Sequence, residues 1–266
     1  MESAEKKYKN LKRIISEYGN LLVAFSGGVD STFLLKTAKD VLGENVIAVS
    51  ALSETYVREE LETAKKMAEK IGVKHIIIES KEVDIPQFRE NPPDRCYYCK
   101  YELFSLLKKI AAENGIRYVA DGTNYNDVRN DHRPGMRAAQ ELGVVSPLYE
   151  AKLNKEEIRY LSKNIGLETW NKPEMACLSS RFPYGTDITR EKLQTIDEAE
   201  RFLRGLGFKQ LRVRHHGDTA RIEIEQESLK RFSDDNMRIS VVDKFKSLGF
   251  KYVALDLEGY RRGSMN

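Results

Sequence analysis

The sequence predicts an α/β protein, a doubly wound parallel sheet followed by a second, smaller α+β domain. Three observations carry this expectation. Through residue 181, apolar runs of strand length alternate with helical runs, as the strands and crossovers of a parallel sheet do. The first strand–helix junction reads LLVAFSGGVDSTFLL (21–35), an apolar run broken by two glycines, an acid and hydroxyls. From Phe182-Pro183 onward the one-for-one alternation stops, and helices and strands follow in another order.

Each element has its own signal. The Lys-rich start KKYKNLKRIISEYGN sets Leu11, Ile14, Ile15 and Tyr18 at helical spacing, an amphipathic first helix without the apolar stretch of a signal peptide. Leu21–Phe25 reads as a strand buried on both faces, and a helix then runs to about Leu42, before Gly43. Strands are expected at 45–53, 75–80, 117–124 and, briefly, 144–148, with helices at 56–72, 95–115 and 154–166. The second half predicts a helix at 189–207 and two strands, 208–216 and 219–226, split by Gly217-Asp218. A helical segment to Leu248 and a strand at 251–257 complete it. The domains are therefore expected at 1–181 and 182–266.

Composition narrows the class. The chain has 266 residues, enough for one large or two ordinary domains. With 32% charged residues the formal net charge is only +3, which does not demand a nucleic acid partner. No apolar run is long enough to span a membrane. Three cysteines, two of them in C-x-x-C, argue for reduced thiols and a cytoplasmic protein rather than a secreted disulfide framework.

The junction after the first strand carries the chemistry. Ser26-Gly27-Gly28 allows a tight turn and close approach to the backbone, and the helix start presents N–H donors to an anion. A Walker loop needs a lysine that is absent, and the dinucleotide fingerprint G-x-G-x-x-G is absent too. Asp30 stands where phosphate should go, which calls for Mg²⁺ bridging the acid and the phosphate. The pattern S-G-G-x-D-S resembles the PP-loop of ATP pyrophosphatases, which cleave ATP between its α and β phosphates. A glycine-rich turn with a capping serine is the plain alternative.

Cys96 and Cys99 open a helix, where the dipole favours thiolate, and Cys177 lies far along the chain. Structural zinc takes four ligands, and no histidine stands at finger spacing; His75 reads as a connector between helix and strand. Three thiolates on a cubane cluster would leave one iron open. A redox pair with an unrelated Cys177, or three structural cysteines, are the alternatives. In LRVRHHGDTARIEI (211–224) the period is two: Leu211 and Val213 face one way, Arg212 and Arg214 the other. Across the turn Ile222 and Ile224 oppose Arg221, Glu223 and Glu225. The pattern alone reads as a solvated outer face, with His215 and His216 exposed at the turn.

SGGVDST, DGTNYND (121–127), and EMACLSSRFPYG (174–185) with the arginine hairpin resemble the LarE family over nearly the whole chain. These are ATP-dependent sulfur transferases that convert pyridinium-3,5-biscarboxylic acid mononucleotide to its thiocarboxylate, a precursor of the nickel-pincer cofactor of lactate racemase. The resemblance implies ATP with its triphosphate on Ser26, Gly27, Gly28, Asp30 and Ser31, and Mg²⁺ on Asp30. It puts adenine near Ser50 and Ala51, with Gly122 and Thr123 also at the nucleotide. The substrate carboxylate would attack the α-phosphorus, and a sulfur nucleophile would then displace AMP.

In single-cysteine members the cysteine matching Cys177 gives up its own sulfur. This chain departs from them by adding Cys96 and Cys99, and so resembles the branch whose three cysteines hold a [4Fe–4S] cluster carrying a replaceable sulfide. Ser180, Arg212 and Arg214 match positions that bind the substrate phosphate, Glu200 and Glu223 match acids near it, and Arg181 is a candidate by adjacency. The expected partners are a small-molecule nucleotide, sulfide or another sulfur donor, and further copies of the chain, with neither membrane nor nucleic acid. A tRNA thiolase and an amidating ATP pyrophosphatase are the competing readings.

Overall fold

A computed structural model describes residues 2–56, 58–128, 134–173 and 175–261, and Ser264. In chain order the elements begin with α1 (Glu2–Tyr18), β1 (Leu21–Ala24), α2 (Val29–Leu42), β2 (Val46–Leu52), α3 (Arg58–Ile71) and β3 (Lys74–Glu79). The one-turn α4 (Pro86–Arg89), α5 (Arg95–Glu113), β4 (Tyr118–Ala120), the one-turn α6 (Tyr125–Val128) and α7 (Pro134–Glu141) follow. Then come the one-turn α8 (Pro147–Glu150), α9 (Lys155–Asn164), α10 (Arg190–Gly205), β5 (Leu211–His216), β6 (Thr219–Ile224), α11 (Asp235–Ser247) and β7 (Tyr252–Leu255). Val57 and Glu174, each within a stretch singled out above, lie outside the described residues.

Two compact units result, Met1–Ile85 with Asp94–Met175, and Pro86–Pro93 with Ala176–Asn266. The second unit thus takes in residues 176–181, ahead of the expected boundary, and a short earlier segment as well. Hydrogen bonds account for both additions. Asn91 Nδ2 donates to Pro183 O at 2.7 Å and Ile188 N to Arg89 O at 2.9 Å. Arg181, buried against Glu200, pulls the chain before it into the second unit.

The first unit is a four-stranded parallel sheet of order β3-β2-β1-β4. Its two faces are covered by different helices, as alternate β1 residues record. Leu21 and Val23 pack in a core with α1, α2 and α9, whereas Leu22 joins Phe104 and Leu107 of α5 and Ala139 of α7. Burial on both faces explains the unbroken apolar reading of β1. Strand order runs outward from β1 through β2 to β3, then returns to β4 on the other side. Such a switch point opens a crevice at the carboxyl ends of β1 and β4.

Two expected strand stretches are shorter here. Residues 121–124 turn away because the Asp121 carboxylate accepts from Thr123 N at 3.1 Å and Thr123 Oγ1 at 2.7 Å, an Asx-type turn that ends β4. Residues 144–148 make only a parallel bridge, Val145 to Ala120, because Pro147 lacks an N–H and starts α8 instead. α9 starts with a full capping box: Asn154 Oδ1 accepts from Glu157 N at 2.8 Å, and Glu157 Oε2 accepts from Asn154 N at 2.9 Å.

The second unit holds a three-stranded sheet, β5 antiparallel to β6 and β6 parallel to β7. Val213, Ile222 and Ile224 are buried, as are Leu193, Ile196 and Leu203 of α10 and Phe245 of α11. No described helix is long and apolar enough to cross a membrane.

Candidate active site

The glycine loop takes a geometry that only glycine allows. Gly27 has φ +69°, and a Cβ there would lie 2.9 Å from the Ala64 backbone of α3. Gly28 occupies the N-cap of α2 without a side-chain cap, so the first N–H groups of that helix are not closed off from within. Ser26 and Ser31 brace the loop across its neck, Oγ to Oγ at 3.0 Å. From β4, Gly122 approaches so closely that a Cβ would stand 3.2 Å from Ser31 N.

A cavity of about 570 Å³ opens at this point. Ser26, Gly28, Asp30, Ser31, Ser50, Ala51, Gly122 and Thr123 all line it, so eight residues singled out from the sequence are brought together, while Gly27 is not among its lining residues. Cys96 lines the same cavity, one helical turn from the half-buried Cys99 in the first turns of α5. Ser50 Oγ donates to Phe25 O at 2.5 Å, and His75 Nε2 sits 2.8 Å from that hydroxyl. His75 therefore lies within β3 rather than in a connector, and burial together with Lys65 lowers its pKa.

The acids of the cavity wall are paired by residues that sequence reasoning passed over. Lys155, at the start of α9, pairs with the Asp30 carboxylate, and Asn124 Nδ2 donates to Asp30 Oδ1 at 3.4 Å. Lys172 pairs with Glu60, another cavity-lining acid, at 2.8 Å and donates to Gly27 O at 3.1 Å. In sequence both lysines look like ordinary surface charges, with only the capping box before Lys155 as a local signal. Their partners are more than 100 residues away.

In the second unit the arginine hairpin is not a solvated face. Arg212 is 7% exposed and Arg214 5%, and His215 is buried against Phe182 and Phe250, so only His216 is exposed as expected. Arg214 Nη2 donates to Glu223 Oε2 and to Ser264 Oγ, both at 2.8 Å, while Arg214 Nη1 donates to Ser180 O at 2.9 Å. Arg212 has its guanidinium 5.1 Å from the Tyr260 ring, and among the described residues its one side-chain hydrogen bond is from Nη1 to its neighbour Leu211 O. Burial and the nearby Arg181 pull its pKa below the ordinary value, so a bound anion would favour its charge.

Arg181 and Glu200 form a closed pair. Both are 0% exposed, with Arg181 Nε and Nη2 donating to the two carboxylate oxygens at 2.8 and 2.9 Å. Arg204 Nη2 and Val213 N donate to the same carboxylate. The remaining guanidinium nitrogen, Nη1, holds Ala176 O, Cys177 O and Ser180 Oγ. Desolvation raises the Glu200 carboxyl pKa, but Arg181 and then Arg204 and Arg212 outweigh it, and the net shift is downward.

A family model described as the PP-loop domain matches residues 1–131. Over the full length, the chain is 42% identical to the pyridinium-3,5-bisthiocarboxylic acid mononucleotide synthase of Lactiplantibacillus plantarum, covering 100% of this chain and 96% of that protein. The chain belongs to the LarE family. It is also 46% identical to an uncharacterized protein of Synechocystis sp., covering 98% of this chain and 97% of the other. An uncharacterized protein of Methanocaldococcus jannaschii is 32% identical over 97% of this chain and 94% of its own. As a LarE-family member with a PP-loop domain, the protein is an ATP-using sulfur transferase.

Whether its residues fit the groups the family implies can be asked of the donors themselves. A carboxylate beside helix-start N–H groups suits a hard divalent cation shared with phosphate, and Asp30 has that setting. Cys96 and Cys99 offer two thiols one turn apart, a donor type suited to iron–sulfur clusters. Among the described residues, no three His, Cys, Asp or Glu side chains converge as a complete metal site.

Proposed function

We propose that this protein adenylates the carboxylate of pyridinium-3,5-biscarboxylic acid mononucleotide with ATP and exchanges it for a thiocarboxylate. The observation that carries the reading is the glycine-loop cavity, with Asp30, Gly122 and Cys96 on its wall. The triphosphate lies over Ser26–Ser31, where uncapped α2 N–H groups and the dipole meet it. Adenine rests at Ser50 and Ala51, and Gly122 and Thr123 border the phosphates.

The substrate carboxylate attacks the α-phosphorus, the bond to the β-phosphate oxygen breaks, and pyrophosphate leaves an acyl adenylate. The loop N–H groups and Lys155 stabilise charge developing on the phosphoryl oxygens. Mg²⁺ held by Asp30 would neutralise phosphate charge when bound. Arg212 and Arg214 grip the phosphate of the substrate nucleotide, with Ser180 beside them and Glu223 fixing Arg214. Arg181 and Glu200 act from within, positioning Cys177 and Ser180 through their backbone and hydroxyl contacts.

Sulfur then attacks the acyl carbon and AMP leaves. Cys96, Cys99 and Cys177 would hold a [4Fe–4S] cluster, whose open iron would supply replaceable sulfide. The exposed Cys96 thiol in the cavity wall supports delivery near the adenylate. If Cys177 were instead the sacrificial donor, it alone would lose sulfur during turnover. Substrate-dependent exchange of labelled pyrophosphate into ATP tests the first step. Exchange that requires the biscarboxylate nucleotide supports the proposal, and exchange indifferent to it removes the substrate assignment.

A further inference from the structure

Lys172 lies at the carboxyl end of the first unit, five residues before Cys177, and reaches back 145 residues to Gly27. Its placement is built rather than incidental. From α9, Arg159 Nη1 donates to Trp170 O at 2.8 Å and Arg159 Nη2 to Lys172 O at 2.9 Å, clamping the segment that presents the lysine. Lys163 on the same helix stands 4.7 Å over the Trp170 ring. Among the described residues the ammonium so positioned has two partners, Gly27 O at 3.1 Å and Glu60 Oε1 at 2.8 Å, and its side chain is only 18% exposed.

The bond to Gly27 O has a consequence at the next atom. A trans peptide is planar, with its C=O and N–H pointing opposite ways. Holding the Gly27 carbonyl on the Lys172 side directs the Gly28 N–H to the other side, where it makes a long bond of 3.4 Å to Ser26 Oγ, both residues lining the cavity. That peptide has unusual freedom in a chain, because a glycine flanks it on each side. An anion site made of backbone N–H groups depends on the orientation of each peptide, and here a distant lysine sets one of them.

We propose that Lys172 is a positioning residue for the phosphoryl-transfer step, orienting the Gly27–Gly28 peptide toward the ATP phosphates. This rests on the reading of residues 26–31 as the nucleotide loop. A second function of Lys172, cancelling the charge of Glu60 in the cavity wall, would by itself also weaken ATP binding when lost. The two are separable.

The test uses the full-length protein and two readouts, affinity for a non-hydrolysable ATP analogue by calorimetry and the rate of pyrophosphate release with ATP. Lys172→Met should lower affinity about tenfold and the release rate by one to two orders of magnitude, in line with loss of preorganised donors at a transition state. Lys172→Arg, still able to reach a carbonyl, should recover most of both. The double variant Lys172→Met/Glu60→Gln removes the stranded acid but not the unpinned peptide, so it should remain slow. Full recovery in the double variant, or unchanged affinity and rate in Lys172→Met, would overturn the proposal. So would equal losses in the Met and Arg variants tracking a fall in melting temperature, which would make the lysine a stability element. Analogue binding is read without the nucleotide substrate, so failure of the sulfur-transfer assignment would show separately as absent product from the unaltered protein.

Discussion

The Nζ of Lys155 meets the carboxylate of Asp30, a residue of the glycine-loop cavity wall, joining residues 125 apart in sequence. Lys155 is the first residue of α9, and its own N–H donates to Asn126 Oδ1 at 2.8 Å, which fixes where the side chain starts. In the proposed nucleotide site the pair places a cation beside Asp30, and so moderates the repulsion an isolated carboxylate would exert on a triphosphate.

Replacing Lys155 by Met should therefore raise KM for ATP about tenfold, the scale of one hydrogen bond to a charged group, and slow pyrophosphate release as well. Asp30→Asn should have the larger effect on rate, of order a hundredfold, because it removes the carboxylate assigned to Mg²⁺. Steady-state kinetics at saturating and limiting ATP separates the two. Lys155→Met kinetics within twofold of the unaltered protein would remove the lysine from the mechanism.

Gly19 and Gly27 make a controlled comparison. Both have positive φ, +73° and +69°, but a Cβ at Gly19 meets nothing within 4 Å, whereas at Gly27 it meets the Ala64 backbone. Gly19→Ala should cost about 1 kcal/mol of backbone strain and leave nucleotide binding intact. Gly27→Ala adds the steric conflict and should lower the melting temperature further and abolish tight binding of an ATP analogue. Thermal unfolding with and without the analogue reads both effects.

The buried pair Arg181–Glu200 sets a pH dependence. The folded protein holds the Glu200 carboxyl below its ordinary range, so its ionised form is favoured by folding. That contribution is complete above the unfolded carboxyl pKa, about 4.3, and is lost as pH falls below it through the folded-state value. Glu200→Gln, which strands a buried guanidinium, should destabilise the second unit by about 3 kcal/mol at neutral pH. It should also flatten the acid limb of the stability profile. An unchanged acid limb would place the titration elsewhere.

If Cys96, Cys99 and Cys177 share one cluster, protein purified without oxygen should contain iron and acid-labile sulfide. Serine at any one of the three positions should then remove most of both. Iron and sulfide assays on the three variants check this. Stoichiometric zinc without iron after anaerobic reconstitution would contradict the cluster. Loss of the elements of hydrogen sulfide at Cys177 after turnover would identify the sacrificial route.

Much of the candidate site was legible because it is local. Strand, glycines, acid and hydroxyls fall within Leu21–Ser31, and Ser26, Gly28, Asp30 and Ser31 line one cavity. The parallel sheet was legible from the apolar strands between helices, although residues 121–124 were turned by the Asp121 side chain and 144–148 were cut short by Pro147. What stayed hidden was long-range charge pairing. Nothing near Lys155 or Lys172 in sequence announces Asp30, Glu60 or Gly27 as partners. The hairpin shows the same limit from another side. Alternation located Arg212 and Arg214 on one face, but an alternating pattern cannot tell water from a covering side chain such as Tyr260 over Arg212.

The most direct test of the sulfur-transfer assignment is mass spectrometry of the nucleotide product. Anaerobically prepared protein is supplied with ATP, Mg²⁺, sulfide and pyridinium-3,5-biscarboxylic acid mononucleotide. The account predicts a product in which sulfur has replaced one carboxylate oxygen, formed together with AMP and pyrophosphate and absent without ATP. Formation of AMP and pyrophosphate with the nucleotide recovered unchanged, or consumption of ATP only when tRNA is added, would contradict it.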